Sequence, residues 1–381
     1  IGEEGMFELP TNSRPMIITG ECREIMRGMP EASVQCVVTS PPYYGGLRVY
    51  GSATVWGVSR PCEHEWIDET KVKKGRRALA PKPEGRQRAK VDMIDAEARG
   101  KQEDLTLINK TCSKCGAWYG ELGHEPSPQE YVDHLAEVFQ EVMRILKDDG
   151  TAWLNIGDCR AGSGGPGCIK NGKTDMRPYS KRAQGIEPQE LIGIPWLTAF
   201  ALRSQGWRVI SDVIWAKGLS FKEDYAGAVN PEPVDDRPTE AYEHVFLLTK
   251  SERYFYDKEA VLEKYRMNRW GGRYKKNDKD VKVKPGSNEP RRYGFLNRMN
   301  YDNYPGKGRN LRNVWVICPE PYDEPHYATF PTKLAETCIR LGSREGDVVL
   351  DPFAGSGTTG QVAMKLKRRS VLIDLSSKYK G

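Results

Sequence analysis

The sequence predicts an α/β protein: one mostly parallel sheet with helices on both faces. Two observations carry this reading. Helical periodicities alternate with short β-rich runs along much of the chain, and a glycine-rich strand-to-helix turn stands at Asp351-Pro-Phe-Ala-Gly355-Ser-Gly357-Thr358-Thr359.

The elements follow in order. Residues 34–39 form an apolar run that must leave the sheet at Ser40-Pro41-Pro42-Tyr43, because two prolines supply no N–H donors. Residues 129–147 place Val132, Leu135, Phe139, Val142 and Leu146 at three- and four-residue steps, which predicts an amphipathic helix. Asp148-Asp149-Gly150 is read as its stop and residues 151–156 as the next strand. A helix over 193–205 tolerates Pro195 in its first turn and stops at Gly206. Strands are expected over 207–215 and 244–249, a helix over 332–341 closing at Gly342, a buried strand over 348–351, a helix over 358–366 and a strand over 370–374. There is no internal repeat. Residues 60–126 and 259–325 break this rhythm and read as insertions rather than parts of the sheet.

The 381 residues carry a formal charge of only +6, unevenly spread. Residues 71–101 hold eleven Lys/Arg against four acids and residues 259–312 fifteen against six, so the rest of the chain is net acidic. Basic charge confined to two segments points to a polyanionic partner, since each phosphate contact releases counterions. A hydrophobic share of 38% and nine tryptophans indicate a folded, enzyme-sized body. No apolar run reaches the ~18 residues of a membrane span and no secretory signal pattern opens the chain. A soluble, cytoplasmic, DNA-associated protein is expected. Most of the nine cysteines sit singly in apolar strings and read as free thiols in a reducing compartment.

The glycine turn lets backbone approach a ligand at a helix N-terminus. It is not a nucleotide P-loop, because no Gly-Lys-Ser/Thr follows. Gly355-Ser-Gly357-Thr-Thr-Gly360 does fit the dinucleotide spacing, although the next acid, Asp374, comes early. That acid could bind the ribose of either a nicotinamide or an S-adenosylmethionine (AdoMet) cofactor, so this pair leaves the cofactor open. Ser40-Pro41-Pro42-Tyr43 supplies the context. A rigid turn of this kind can aim carbonyls and a hydroxyl at an amino group while the aromatic ring stacks on its base; taken alone, Pro-Pro-Tyr after a strand reads equally as an extended loop or a peptide-binding decoration.

Together the two motifs resemble the β-type exocyclic-amino DNA methyltransferases (N4-cytosine and N6-adenine), in which the catalytic motif precedes the cofactor motif. Ile17-Ile-Thr-Gly20-Glu21-Cys22 leading to Val37-Val-Thr-Ser-Pro-Pro-Tyr43 is similar to that family. So are Leu191-Ile-Gly-Ile-Pro195-Trp196, Gly206-Trp207, Val213-Ile-Trp215-Ala-Lys217, Glu243-His-Val-Phe-Leu-Leu-Thr-Lys250 and His326-Tyr-Ala-Thr-Phe330-Pro331-Thr-Lys333. The sequence departs in having Glu at 21 where Asp is frequent, Asp at 374 where Glu is frequent, and Gly218 where a proline is common. The resemblance implies a Rossmann-like AdoMet-dependent methyltransferase domain made of residues 1–59, 127–258 and 323–381. An insertion at 60–126 and a target-recognition region at 259–322 interrupt it.

The resemblance also implies roles. Ser40, Pro41, Pro42 and Tyr43 form the catalytic turn. Phe353, Ala354, Gly355, Gly357, Thr358 and Thr359 hold the methionine end of AdoMet and Asp351 is a further cofactor-binding residue, with Asp374 at the ribose, Glu21 near the adenine, and Phe330 and Lys333 closing the wall. The target base is expected to leave the duplex. Ser40 in the catalytic turn usually accompanies cytosine N4 in this family, which favours N4-methylcytosine over N6-methyladenine. A C5-cytosine enzyme would need a Pro-Cys nucleophile, and the one such pair, Pro61-Cys62, belongs to a different pattern.

That pattern is Cys62-x-His64 with Cys112-x-x-Cys115-Gly116: four ligands suited to one structural zinc in a knuckle with a long basic tip, with His124 as the second-choice ligand. Arg266, Arg269, Arg273, Arg291, Arg292 and Arg298 are candidates for DNA contact, since Arg reads guanine edges and Lys suits phosphates. Double-stranded DNA is the expected partner, with a cognate restriction endonuclease or a homodimer as further expectations. Competing readings are an RNA or free-nucleotide methyltransferase, a DNA-binding regulator on an inactive methyltransferase fold, and a nicotinamide oxidoreductase. The last leaves the Pro-Pro-Tyr turn unexplained.

Overall fold

A computed structural model of the chain describes residues 7–45, 52–58, 61–73, 105–161, 185–187, 189–218, 236–263, 308–319 and 331–376. The main sheet contains β1 (Met16–Thr19), β2 (Val34–Thr39), β9 (Leu146–Ile156), β10 (Arg208–Ala216), β11 (Tyr242–Thr249), β12 (Val314–Val316), β13 (Val348–Asp351) and β14 (Arg369–Asp374). Its order is β1-β14-β13-β2-β9-β11-β10-β12, parallel throughout except for β11, which runs against both neighbours.

Each central strand is apolar on both faces, and alternate residues enter different cores. Ala152, Leu154, Ile156, Val348, Leu350, Val371 and Ile373 point to one core, which α1 (Cys22–Gly28), α2 (Pro128–Ile145) and α3 (Ile194–Ser204) cover. Trp153, Val245, Leu247 and Val349 point to the other, under α4 (Thr332–Gly342) and α5 (Thr358–Lys365). Truncating such a residue, Leu350 for example, would cost about 2–5 kcal/mol. The α/β reading with helices on both faces holds.

Two local expectations are corrected. Asp148-Asp149-Gly150 does not separate helix from strand, because β9 already starts at Leu146. Val34 pairs with Leu146 and Cys36 with Thr151, so residues 147–150 bulge out of the ladder. Gln35 fixes the bulge by donating to Asp149 Oδ1 at 3.1 Å. Val314–Val316, within the stretch read as an insertion, is the edge strand β12 of the main sheet. Its alternation is the reason: Trp315 is buried against Trp153 with ring centroids 5.9 Å apart, while Val314 and Val316 face outward.

A second sheet, β3-β8-β7-β4, joins Thr54–Trp56, Trp118–Gly120, Asn109–Cys112 and Trp66–Asp68. Beyond it β5 (Lys71–Lys73) pairs with β6 (Leu105–Leu107). This sheet is fused to the main core through His134 of α2, whose ring stacks on Trp56 at 5.3 Å and on Trp118 at 5.6 Å. Buried Glu125 meets His134 Nδ1 at 3.2 Å. Arg23 of α1 adds a further tie. It lies 3.8 Å over the Trp56 ring, donates to the Val55 carbonyl at 2.7 Å and pairs with Glu137 of α2 at 2.5 Å.

Candidate functional site

The catalytic-turn candidate and the glycine turn leave the carboxyl ends of neighbouring parallel strands, β2 and β13. Ligands of open α/β sheets bind outside such strand ends, where chain progression reverses direction. Here it reverses between these two strands: β13 leads through α5 outward to β14, and β2 leads through α2 the other way to β9. Asp351 ties the motifs together. Its carboxylate accepts from Thr39 Oγ1 and Thr359 Oγ1, both at 2.7 Å, and from the Phe353 amide at 3.1 Å. Burial outweighs these donors and pushes the Asp351 carboxyl up to about 6. Its oxygens therefore serve the loop itself and shape the turn from behind.

Gly355 and Gly357 both lie in the left-handed region, φ +50° and +78°, where L side chains are strained. A Cβ at Gly355 would meet no atom of the described residues within 4 Å. Gly360, in the first turn of α5, allows close helix–strand packing, since a Cβ there would fall 2.4 Å from Leu372. Asp374, at the end of β14, receives the Gly355 amide at 2.9 Å and the Ser376 amide at 2.8 Å, and burial raises its carboxyl. Phe353 packs on the core edge beside the turn.

Glu21 caps α1 by accepting the Glu24 amide at 3.1 Å, and its other oxygen holds Arg23 Nε at 2.9 Å. Lys333 is 62% exposed in the first turn of α4 and pairs with Glu336 at 3.0 Å on the helix surface, rather than with any residue of the turn. Phe330 lies outside the described residues, as do Arg266, Arg269, Arg273, Arg291, Arg292 and Arg298.

Ser40–Tyr43 is held from three sides. Tyr131 Oη donates to the Pro42 carbonyl at 2.9 Å. Gly123 approaches so closely that a Cβ would fall 2.6 Å from the Tyr43 carbonyl oxygen, and its own carbonyl accepts the Gly45 amide at 3.2 Å. Gly157 lies against the Tyr43 ring, where a Cβ would come within 2.8 Å. Among the described residues no donor meets the Pro41 carbonyl oxygen. The Tyr43 hydroxyl is turned into a polar cluster. It donates to Glu243 Oε2 at 2.5 Å and accepts from Asn155 Nδ2 and from the Ser40 hydroxyl, the latter at 3.3 Å. Asn155 also donates to Glu243 at 2.8 Å, and Lys217 Nζ grips the other carboxylate oxygen at 2.6 Å.

Asn155, Lys217 and Glu243 carry no role in the sequence reading. No backbone signature in the sequence marks them; what singles them out is their place at strand ends beside the Ser40–Tyr43 turn.

Comparison with known proteins bears directly on this arrangement. The sequence pattern of the N6/N4 DNA methylase family matches residues 34–381. The chain belongs to that family. The methylase is 32% identical over 366 residues to the Type II methyltransferase M.SmaI of Serratia marcescens, an alignment covering 95% of this chain and 87% of the relative. It is 32% identical over 367 residues to the Type II methyltransferase M.Cfr9I of Citrobacter freundii, covering 95% and 84%. Among solved structures the PvuII DNA methyltransferase (cytosine-N4-specific) shares the fold, with a TM-score of 0.51 at 16% identity over 98% of this chain and 87% of that one. An AdoMet-dependent DNA methyltransferase is the activity class this membership gives. No helix among the described residues is long and apolar enough to cross a membrane.

The methylase also brings Cys62, His64, Cys112 and Cys115 together, their ligand atoms all within 4.8 Å of one another. Cys62 and Cys112 sulfurs lie 3.9 Å apart, and Cys115 Sγ lies 3.4 Å from His64 Nδ1. A tetrahedral zinc with bonds near 2.3 Å to sulfur needs S···S edges of about 3.8 Å and slightly shorter S···N edges. The donor set fits such an ion. Gly116, φ +76°, turns the knuckle, its amide bonded to the Cys112 carbonyl at 2.9 Å. His124 is buried beside Glu121, 4.0 Å away, and is no part of the cluster.

Proposed function

We propose that this methylase transfers the methyl group of AdoMet to the N4 amine of a cytosine extruded from double-stranded DNA. Two of its relatives, M.SmaI and M.Cfr9I, are Type II methyltransferases, which suggests a modification role beside a cognate restriction endonuclease. The observation that carries the reading is the Thr39–Asp351–Thr359 tie, which brings the Ser40–Tyr43 turn to the glycine turn. The turn's left-handed glycines and the acid at Asp374 suit the methionine and ribose portions of AdoMet, with Phe353, Ala354, Thr358 and Thr359 completing the cradle.

When bound, AdoMet supplies an electrophilic methyl on a sulfonium. The chain supplies orientation. A cytosine amine is a poor nucleophile because its lone pair is delocalised into the ring. The Ser40 hydroxyl and the Pro41 carbonyl, which meets no donor among the described residues, are acceptors that favour a tetrahedral nitrogen and aim the freed lone pair. Tyr43 offers its ring to the extruded base. Ser40, rather than an aspartate, supports cytosine as the target.

We further propose that Cys62, His64, Cys112 and Cys115 hold a structural zinc, and that residues 259–322 outside β12, with Arg266, Arg269, Arg273, Arg291, Arg292 and Arg298, contact DNA. Incubation with labelled AdoMet and unmodified genomic DNA, followed by nucleoside mass spectrometry, tests the main reading. N4-methylcytosine is expected. N6-methyladenine would overturn the base assignment, and no methylated nucleoside would overturn the activity.

A further inference from the structure

Methylating an amine leaves a proton to be placed. As the N–CH3 bond forms and the donor's S–CH3 bond breaks, sulfur departs with the electron pair and the nitrogen holds one hydrogen too many. Ser40 and the prolines carry no group able to keep that proton. The only carboxylate within a hydrogen-bond chain of Ser40 among the described residues is Glu243, at the start of β11. Because β11 runs antiparallel, its first residues reach the edge where the other strands end.

Resting on the methyl-transfer reading above, we propose that Glu243 is a positioning residue that polarises Ser40 through Tyr43 and finally receives the proton the methylated amine sheds. The path is continuous. Ser40 Oγ–H points to Tyr43 Oη at 3.3 Å, and Tyr43 Oη–H to Glu243 Oε2 at 2.5 Å. As the amine proton moves to Ser40 Oγ, the serine proton passes to Tyr43 and the tyrosine proton to Glu243. Both hydroxyls end neutral and the base loses one proton, so the account balances. Burial, then the Glu243 charge, hold the Tyr43 hydroxyl well above its usual range, so Tyr43 passes a proton along in concert and does not store a phenolate.

Two neighbours keep the path in shape. Lys217 pairs with Oε1, the oxygen opposite the one Tyr43 meets, and Asn155 lies between Ser40 at 3.4 Å and Glu243 Oε2 at 2.8 Å. Gly157 admits the Tyr43 ring edge at the distance the hydroxyl needs. In this low-dielectric setting each bond polarises the next, so a charge two bonds away still strengthens Ser40 as an acceptor.

The test is single-turnover methylation of unmodified genomic DNA by the full chain with tritiated AdoMet, in H2O and D2O. Glu243→Gln keeps an acceptor oxygen but cannot hold the proton. Its methyl-transfer rate should fall about 100-fold or more, with AdoMet and DNA affinities within threefold of wild type and an altered solvent isotope effect. Tyr43→Phe cuts the same chain without touching the Glu243–Lys217 pair, so it covers the case in which the glutamine variant fails to fold. The double variant should lose no more than the worse single one. A rate within threefold of wild type for Glu243→Gln or Tyr43→Phe, or a loss expressed wholly as weaker binding, would overturn the relay. Wild type yielding no methylated nucleoside would instead bring down the methyl-transfer reading itself, and the relay with it.

Discussion

Gly123→Ala tests how the Ser40–Tyr43 turn, proposed to be catalytic, is held. Gly123 has φ +93°, and a Cβ there would sit 2.6 Å from the Tyr43 carbonyl oxygen and 3.5 Å from that of Pro42. Ordinary contact begins near 3.4 Å, so alanine requires a shift of about 0.8 Å between residue 123 and the turn, while left-handed backbone adds about 1–2 kcal/mol of strain. Residue 123 has little room to retreat, because its amide is bound to buried Glu125 at 2.8 Å and its carbonyl to the Gly45 amide. Tyr43 must move instead, and displacement near 1 Å at a reacting centre costs on the order of 100-fold in rate. Single-turnover methylation should therefore fall about 10- to 100-fold with AdoMet affinity nearly unchanged. Gly346→Ala is the control: it carries comparable strain at φ +81° with no atom within 4 Å, and should lower the denaturant midpoint without slowing methyl transfer. If Gly123→Ala matched Gly346→Ala, losing stability but not rate, bracing of the turn from residue 123 would be refuted.

Three further outcomes are expected. Ser40→Ala and Tyr43→Ala should lose turnover while retaining AdoMet affinity by calorimetry; normal turnover in either would void its role. Metal analysis of chelator-free protein should find about one zinc per chain, lost on changing Cys112 and Cys115 to serine, and its absence from wild type would reject the site. Asp351, raised to about 6 by burial, binds its proton more tightly folded than unfolded. Its share of stability is full below the unfolded value near 4 and falls as pH rises towards 6, by up to about 3 kcal/mol. Denaturant midpoints should drop across that window relative to Asp351→Asn, and parallel profiles would contradict the assignment.

Much of the sheet was legible because β2, β13 and β14 are buried on both faces, which leaves unbroken apolar runs in the sequence. The bulge at 147–150 was not, because register belongs to a pair of strands and Gln35 lies 114 positions from Asp149. β12 was hidden for another reason: three residues with one buried tryptophan carry too little periodicity to stand out of a basic stretch. At the site, Ser40–Tyr43 and Asp351–Thr359 could be found because proline and glycine have strong backbone signatures. Asn155, Lys217 and Glu243 have none. Their meaning depends on strand direction, and nothing in Tyr242–Thr249 announces that this one strand runs backwards.

Strand direction also explains why a fold built for parallel strands admits one reversed member here. A parallel strand in that place would present its carboxyl end, and a side chain there would extend the edge already formed by β9. Reversal brings the chain into the site at the start of β11, with Glu243 entering beside Asn155 while Lys217 leaves β10 next to it. An acid, an amide and an ammonium thus meet at the ends of three neighbouring strands. The second sheet adds support from the opposite side. Trp56 and Trp118 clasp His134, and the segment that continues from β8 into α2 carries Gly123 against Tyr43. The Ser40–Tyr43 turn is therefore pinned between a charged cluster on the main sheet and the rim of the cysteine-bearing second sheet. Two prolines alone could not give that rigidity, because they fix φ at their own positions and leave the orientation of the Tyr43 side chain to its neighbours.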